Sequence, residues 1–335
     1  GDMGLQTVKP DIVVCNGALG ACEGHHQWRT ALFLLQEATR LGFRPNIITR
    51  STAISVCSQH PTWGWAVSLL EEAWQLRLEA NVITCNAALS ACEKGGKWQL
   101  ALHLVTGILR RSLQSDVVTY GSLISSCEKA QTWNWALSVL GDAQQRGLGA
   151  SVIAYNSVIS ACEKGQQWEW ALRSLTEMRG RGLQESTITF NAAISACEKG
   201  KRWEQAMRSF VNLQQVFVES DVITCNAVLS AFEKGQQWER TLKFLRVLRG
   251  QSLEPNAVSH NTIVAACDEG HHWEWALSFT ELDIDQREVK RDVITYNAAI
   301  SACSKGFKWE LSLHSLYDMS VQGMQADTIT YNAIG

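Results

Sequence analysis

At 335 residues, with 46% hydrophobic and 19% charged side chains, the chain has the composition of a globular, water-soluble protein. No apolar run approaches the roughly 20 residues that a membrane-spanning helix needs. The formal net charge of −3 argues against a partner held chiefly by its phosphates, because that contact rests on Lys and Arg.

In chain order, residues 1–11 read as the tail of a preceding repeat. Nine full 35-residue repeats span 12–327 and begin at Ile12, Ile47, Val82, Val117, Val152, Thr187, Val222, Ala257 and Val293. The eighth is one residue longer, the extra residue lying within Leu282–Arg291, and Thr328–Gly335 open a truncated tenth. A period in this range means stacked supersecondary units, each contacting its neighbours, so the period predicts one elongated array. No signal or transit segment is visible, and the chain reads as part of a longer array with room upstream for a targeting peptide.

Within a repeat the spacing predicts two helices. In the fifth repeat Tyr155, Ile159 and Cys162 form an apolar stripe at i, i+4 and i+7, beside a polar stripe of Asn156, Ser160 and Glu163. Gly165 is expected to close this helix, as Gly95, Gly200 and Gly235 do in theirs. Trp168, Ala171, Leu172, Leu175 and Met178 then mark the second helix. The expected fold is all-α, an α-solenoid superhelix of helix-turn-helix hairpins.

The eleven cysteines obey the same period. Cys22, Cys57, Cys92, Cys127, Cys162, Cys197, Cys267 and Cys303 share one repeat position, and Cys15, Cys85 and Cys225 another. With no C-x-x-C anywhere, they read as small buried hydrophobes in a reducing compartment, not as a metal or disulfide framework.

The 35-residue period, a first helix opening V-[IV]-T-Y-N as in Val293–Asn297, and a repeat end in Asp, Asn or Ser resemble the pentatricopeptide repeat family in its plain 35-residue class. The resemblance runs from Ile12 to the end of the chain. One departure is Trp at position 17, where the family usually carries a smaller aliphatic residue. The resemblance implies a right-handed, tetratricopeptide-like superhelix that binds single-stranded RNA one base per repeat. It also implies a chloroplast or mitochondrial setting and a part in RNA stabilisation, processing or translation.

By the same resemblance the base edge is read by position 5 and the last residue of each repeat. Position 5 holds Asn16, Ser51, Asn86, Gly121, Asn156, Asn191, Asn226, Asn261 and Asn297. The matching last residues are Asn46, Asn81, Asp116, Ser151, Ser186, Asp221, Asn256, Asp292 and Asp327. Position 2 would sandwich the base with Val13, Ile48, Ile83, Val118, Ile153, Ile188, Ile223, Val258 and Ile294. Position 13 would approach phosphate with Lys94, Lys129, Lys164, Lys199, Lys234 and Lys305, although a Glu stands one residue earlier in five of those repeats.

The chemistry is intelligible on its own terms. An Asn amide offers a donor and an acceptor to a pyrimidine edge, an ionised Asp only accepts and so favours the N3–H of uracil, and a small Ser at position 5 leaves room for a purine. The implied target is 5′-Y-A-U-?-C-U-Y-U-U-3′, with the fourth site left open by Gly121 and Ser151. Asp, Asn and Ser at a repeat junction also suit helix caps. Capping alone does not explain why position 5, inside a helix, is Asn seven times in nine, since Asn is a poor interior helix residue.

Other conspicuous residues read as structural. The position-17 tryptophans Trp28, Trp63, Trp98, Trp133, Trp168, Trp203, Trp238, Trp273 and Trp309 are expected to wedge between hairpins, and Trp65, Trp135, Trp170 and Trp275 to be partly exposed. His25, His26, His271 and His272 read as solvated turn residues, with no third ligand for a metal. No catalytic motif, cofactor motif or small-molecule site is visible, so the chain reads as a non-enzyme. Two rival readings use the same array. One is a protein-binding scaffold, favoured by the acidity and the Glu row; the other is an RNA-targeting arm for an enzyme domain outside the chain.

Overall fold

The computed structural model describes residues 12–24, 27–43, 45–59, 62–216, 218, 220–250, 255–270, 272–281 and 292–334. The N-terminal tail, the extra residue of the eighth repeat, and His25, His26 and His271 lie outside these. Among the described residues there are nineteen α-helices and no strands, and none of the helices is long and apolar enough to cross a membrane.

The helices group into two compact units divided after Gly165, where the period alone reads as one continuous array. The division falls inside the fifth repeat, in the turn between its two helices. The first unit holds α1 (Ile12–Gly24), α2 (Trp28–Arg40), α3 (Ile47–Ser58), α4 (Trp63–Gln75), α5 (Val82–Lys94), α6 (Trp98–Arg110), α7 (Val117–Lys129), α8 (Trp133–Gln145) and α9 (Val152–Lys164). The second holds α10 (Trp168–Gly180), α11 (Thr187–Lys199), α12 (Trp203–Gln215), α13 (Val222–Lys234), α14 (Trp238–Gly250), α15 (Ala257–Glu269), α16 (Trp273–Glu281), α17 (Val293–Lys305), α18 (Trp309–Val321) and α19 (Thr328–Ile334). Within each unit an odd-numbered helix packs on the even-numbered helix after it and on the next odd-numbered helix.

The apolar stripe forms the core. Tyr155, Ile159 and Cys162 are fully buried, as are Phe190, Ile194 and Cys197 one repeat later. Ala171, Leu175 and Met178 meet the core from the second helix, while Trp168 and Leu172 stay half-buried. Burial pushes the thiols up, to about 11 for Cys92 and about 12 for Cys162, Cys197 and Cys267. Such thiols stay protonated and unreactive at neutral pH.

Each first helix from α3 onward starts on a side-chain cap. The last residue of the preceding repeat is extended and accepts the backbone N–H of position 3, from Asn46 and Thr49 (2.9 Å) to Asp292 and Thr295 (2.9 Å). Where the turn is described, the first helix ends in paired backbone bonds around a left-handed residue. Gly96 N–H donates to the Glu93 carbonyl and Lys97 N–H to the Cys92 carbonyl, with Gly96 at φ +62.

The left-handed position is therefore not that of Gly95, Gly165, Gly200 and Gly235. It is the residue after them: Gly96, Gln131, Gln166, Lys201, Gln236 or Phe307. The glycines are needed for a different reason. A Cβ on Gly95 would lie 2.4 Å from Cδ1 of Trp63, and one on Gly235 2.4 Å from Cδ1 of Trp203. Gly165 and Gly200 meet Trp133 and Trp168 in the same way. At these junctions the position-17 tryptophan thus wedges against the first helix of the next hairpin, the indole lying where a Cβ would stand; the fourth repeat carries Ala130 at the same position.

At three of these seats a cation at position 16 of the next repeat lies over the ring. Lys97 lies 5.2 Å from the Trp63 ring centroid, Arg202 5.0 Å from that of Trp168, and Lys308 5.2 Å from that of Trp273. His272 occupies the same place and stacks on Trp238 at 3.8 Å, so it is a packing residue and not a solvated one. Trp65, Trp135, Trp170 and Trp275 are 37–56% exposed.

A second row of contacts ties the polar faces of successive first helices. The carboxylate at position 12 receives the Lys at position 13 and the Ser at position 9 of the next repeat. Lys164 and Ser160 both reach Glu128 at 3.0 Å; Lys234 and Ser230 reach Glu198 at 2.7 and 2.9 Å; Lys305 and Ser301 reach Asp268 at 2.8 and 3.2 Å. Lys129 meets Glu93 at 3.3 Å. Glu233 is the exception, because the eighth repeat places Ala265 and Glu269 where Ser and Lys stand elsewhere. Burial, then the charge of Glu269, push the Glu233 carboxyl up to about 7 against the pull of Lys234.

Two outcomes follow for stability. Gly235→Ala is expected to cost about 1–3 kcal/mol by overpacking Trp203, whereas Gln236→Gly is expected to add about 0.5–1 kcal/mol by relieving a left-handed non-glycine residue; paired thermal or urea denaturation reads both signs. An acid whose folded pKa is raised holds its proton in the native state after the unfolded chain has lost it. Its drain on stability therefore develops as pH rises from the ordinary carboxylate range to about 7. Glu233→Gln should leave the melting temperature unchanged near pH 4 and raise it at pH 8, in a direct comparison across that range.

Candidate nucleic-acid interface

At 100° per residue, positions 2, 5, 9, 12 and 13 of a first helix fall within an arc of about 100°. The core stripe at positions 4, 8 and 11 occupies a separate arc, centred about 120° away. The helix therefore brings the expected base-sandwiching, base-reading and phosphate residues of one repeat to one face.

Position 2 is exposed throughout, at 56–77% from Val258 to Ile83, with Val13, Ile48, Val118, Ile153, Ile188, Ile223 and Ile294 between them. Ile329 continues the row at 64%. Aliphatic side chains in water at position 2 of every repeat form an apolar strip in each unit.

The position-5 residues are half-buried beside that strip, in a hydrogen-bonded triangle that spans the junction. At the third repeat the Asn86 Nδ2 donates to the Asp116 carboxylate at 3.1 and 3.3 Å, and the Thr119 hydroxyl donates to Asn86 Oδ1 at 2.7 Å. Asn191, Asp221 and Thr224 repeat the arrangement, as do Asn261, Asp292 and Thr295. Asn297 donates to Asp327 at 3.2 Å and accepts from Thr330 at 2.6 Å. Asn226 donates to Asn256 at 3.3 Å and accepts from Ser259 at 2.5 Å. Thr49 donates to Asn16 at 2.7 Å.

The cap decides which atom of the last residue is left over. In Asp221 the N–H of Thr224 binds Oδ1 at 2.7 Å, and the remaining atom, Oδ2, is an acceptor. In Asn256 the N–H of Ser259 takes Oδ1 at 3.0 Å, and the remaining atom, Nδ2, is a donor. Cap and reader are thus compatible roles for one side chain, and exchanging Asp for Asn reverses the hydrogen-bond character presented.

The Asp residues are ionised at neutral pH. Burial pushes the Asp116 and Asp221 carboxyls up, but hydrogen bonds from Thr119 and Asn86, and from Thr224 and Asn191, outweigh it and hold both below their ordinary value. The same balance lowers Asp292, where Thr295 and Asn261 donate. Asp327 is lowered by the Thr330 N–H and hydroxyl.

Three repeat ends differ. Ser51 turns its hydroxyl to the Ile48 carbonyl at 2.9 Å, and Thr84 then bonds its own cap Asn81 at 2.9 Å. Gly121 brings no side chain, nothing lies within 4 Å of where its Cβ would be, and Ser151 caps Ala154 at 3.2 Å. Ser186 caps Thr189 at 3.4 Å. Among the lysines, Lys129, Lys164, Lys234 and Lys305 are ion-paired as described. Lys94 faces no carboxylate at position 12 of the repeat before it, which carries Ser58 there.

The position-3 hydroxyls were not singled out by sequence. The available signal was a Thr or Ser at Thr49, Thr84, Thr119, Thr189, Thr224, Ser259, Thr295 and Thr330, interrupted by Ala154 directly after the Gly121 repeat.

The sequence profile of the pentatricopeptide repeat domain matches residues 68–130, 103–164, 138–202 and 210–269, more than half of the chain. No curated protein matches it by sequence. Among solved structures, PPR10 from maize superposes with a TM-score of 0.72 at 17% identity, covering 97% of this chain and 51% of that one. PPR10 in complex with an 18-nt psaJ RNA element gives 0.56 at 17% identity, covering 96% and 52%. The chain thus spans about half the length of the structures it resembles and shares their solenoid of helical hairpins. On its profile, its period and its fold, the chain belongs to the pentatricopeptide repeat family.

Proposed function

We propose that this chain binds single-stranded RNA one base per repeat, each base lying against the aliphatic residues at position 2 and read by position 5 with the last residue of the repeat. The observation that carries the reading is the row of exposed Val and Ile at position 2. Apolar side chains in register along one face suit flat π-surfaces that recur at a regular spacing, as the bases of a single strand do. Beside each one stands a hydrogen-bonding pair whose cap bond leaves a defined donor or acceptor.

The solved complex of PPR10 with RNA supports the class of partner. The target is 5′-Y-A-U-?-C-U-Y-U-U-3′. Binding of this kind needs no active site, since occupancy alone shields a transcript from nucleases or keeps it unfolded. The setting is organellar, in RNA stabilisation, processing or translation.

The ion pairs on the same face shape the salt dependence. Lysines held by Glu or Asp contribute little net charge to a phosphate backbone, so the bases carry most of the affinity. Lys94, facing Ser58, is the lysine best placed to meet phosphate.

Gel-shift titration of the nonamer against a scrambled strand tests the reading; equal binding to both would overturn base recognition. The double substitution Asn191→Ser with Asp221→Asn copies the Ser51 and Asn81 pair, and should change the sixth-site preference from U to A. Lys94→Ala should lower the slope of log K against log salt by about 0.7, the value for one lost single-strand contact. Lys234→Ala should lower it by less, as read in a salt titration of both variants.

A further inference from the structure

We propose that position 3 of each repeat is a positioning residue for the base reader of the repeat before it: its buried hydroxyl holds the position-5 amide one way round, and thereby sharpens base choice. The inference rests on the base-reading role proposed above.

An Asn amide is nearly symmetric in shape and opposite in hydrogen-bond character, so a half-turn about its last side-chain bond exchanges donor for acceptor. A reader that distinguishes uracil from cytosine must suppress that turn. Thr224 is fully buried and so cannot itself touch a ligand on the surface. Its hydroxyl donates to Asn191 Oδ1, while Asn191 Nδ2 donates to Asp221 at 3.3 Å. Turning the amide would lose the bond from the hydroxyl and set Oδ1 against the Asp221 carboxylate, two acceptors facing each other. One buried hydroxyl therefore biases an amide that is itself half-exposed.

The internal repeats supply an independent observation. After the first repeat, the hydroxyl is missing only at Ala154, and the repeat before it is the one whose position 5, Gly121, has no side chain to hold. Where position 5 is Ser51 and bonds its own helix, Thr84 bonds only its cap. The hydroxyl bridges the junction at Asn16, Asn86, Asn191, Asn226, Asn261 and Asn297, and turns to its own cap where position 5 is Ser51.

The test measures affinity for nonamers that differ only at the sixth base, for the wild type, Thr224→Val and Thr224→Ser. Valine keeps the shape and removes the hydroxyl; serine keeps the hydroxyl. Wild type and T224S should prefer U, and T224V should lose about threefold to tenfold of the U-over-C ratio, the worth of one hydrogen bond, with discrimination at the third base unchanged.

A second arm guards against misfolding. Gly121→Asn with Ala154→Thr should give a sharper pyrimidine preference at the fourth site than Gly121→Asn alone. A U-over-C ratio retained in T224V, or no difference between the two Gly121→Asn proteins, would overturn the positioning role. A wild type without preference at the sixth base would overturn base reading itself, and this inference with it.

Discussion

Each junction between repeats turns on one hydrogen bond, from the backbone N–H of position 3 to the last side chain of the preceding repeat. It satisfies a donor that the first turn of a helix cannot satisfy internally. It also fixes one edge of that side chain, so that Oδ2 is left over on Asp221 and Nδ2 on Asn256. The start of the helix and the chemistry presented at its surface are thus set by the same contact. The polar alphabet at this position is narrow because a residue must cap first and can vary only in what remains.

The spacing of those junctions is held from the other side of the hairpin. An indole such as Trp203 seats on Gly235 of the next first helix, whose missing Cβ sets how closely the two approach. Basic side chains such as Lys97 and Lys308 then cover the rings they face. Across the polar faces, carboxylates such as Glu198 collect the Lys and Ser of the following repeat. Individually such partly exposed pairs are worth little, but they recur in register and oppose sliding of one repeat against the next.

The same pairs reconcile the net charge of −3 with the RNA partner proposed for this face. Its lysines and carboxylates neutralise each other between repeats, leaving exposed aliphatic residues and oriented amides as the dominant features. On the proposed reading, recognition rests on base surfaces and edges more than on phosphate, and selectivity on hydrogen-bond character more than on charge.

Much of this was legible in the amino-acid sequence, because a period of 35 residues reports which positions are equivalent. Equivalence determined the two helices of each repeat, the buried stripe of Tyr155, Ile159 and Cys162, the caps at the repeat ends, and the face that carries positions 2 and 5. It did not determine what touches what from one repeat to the next. The reason for Gly95 and Gly235, the stacking of His272 on Trp238, the capture of Lys164 by Glu128, and the tie between Thr224 and Asn191 were decided by tertiary structure alone. Each joins residues some thirty positions apart, and only the packing of successive hairpins brings such residues within bonding distance.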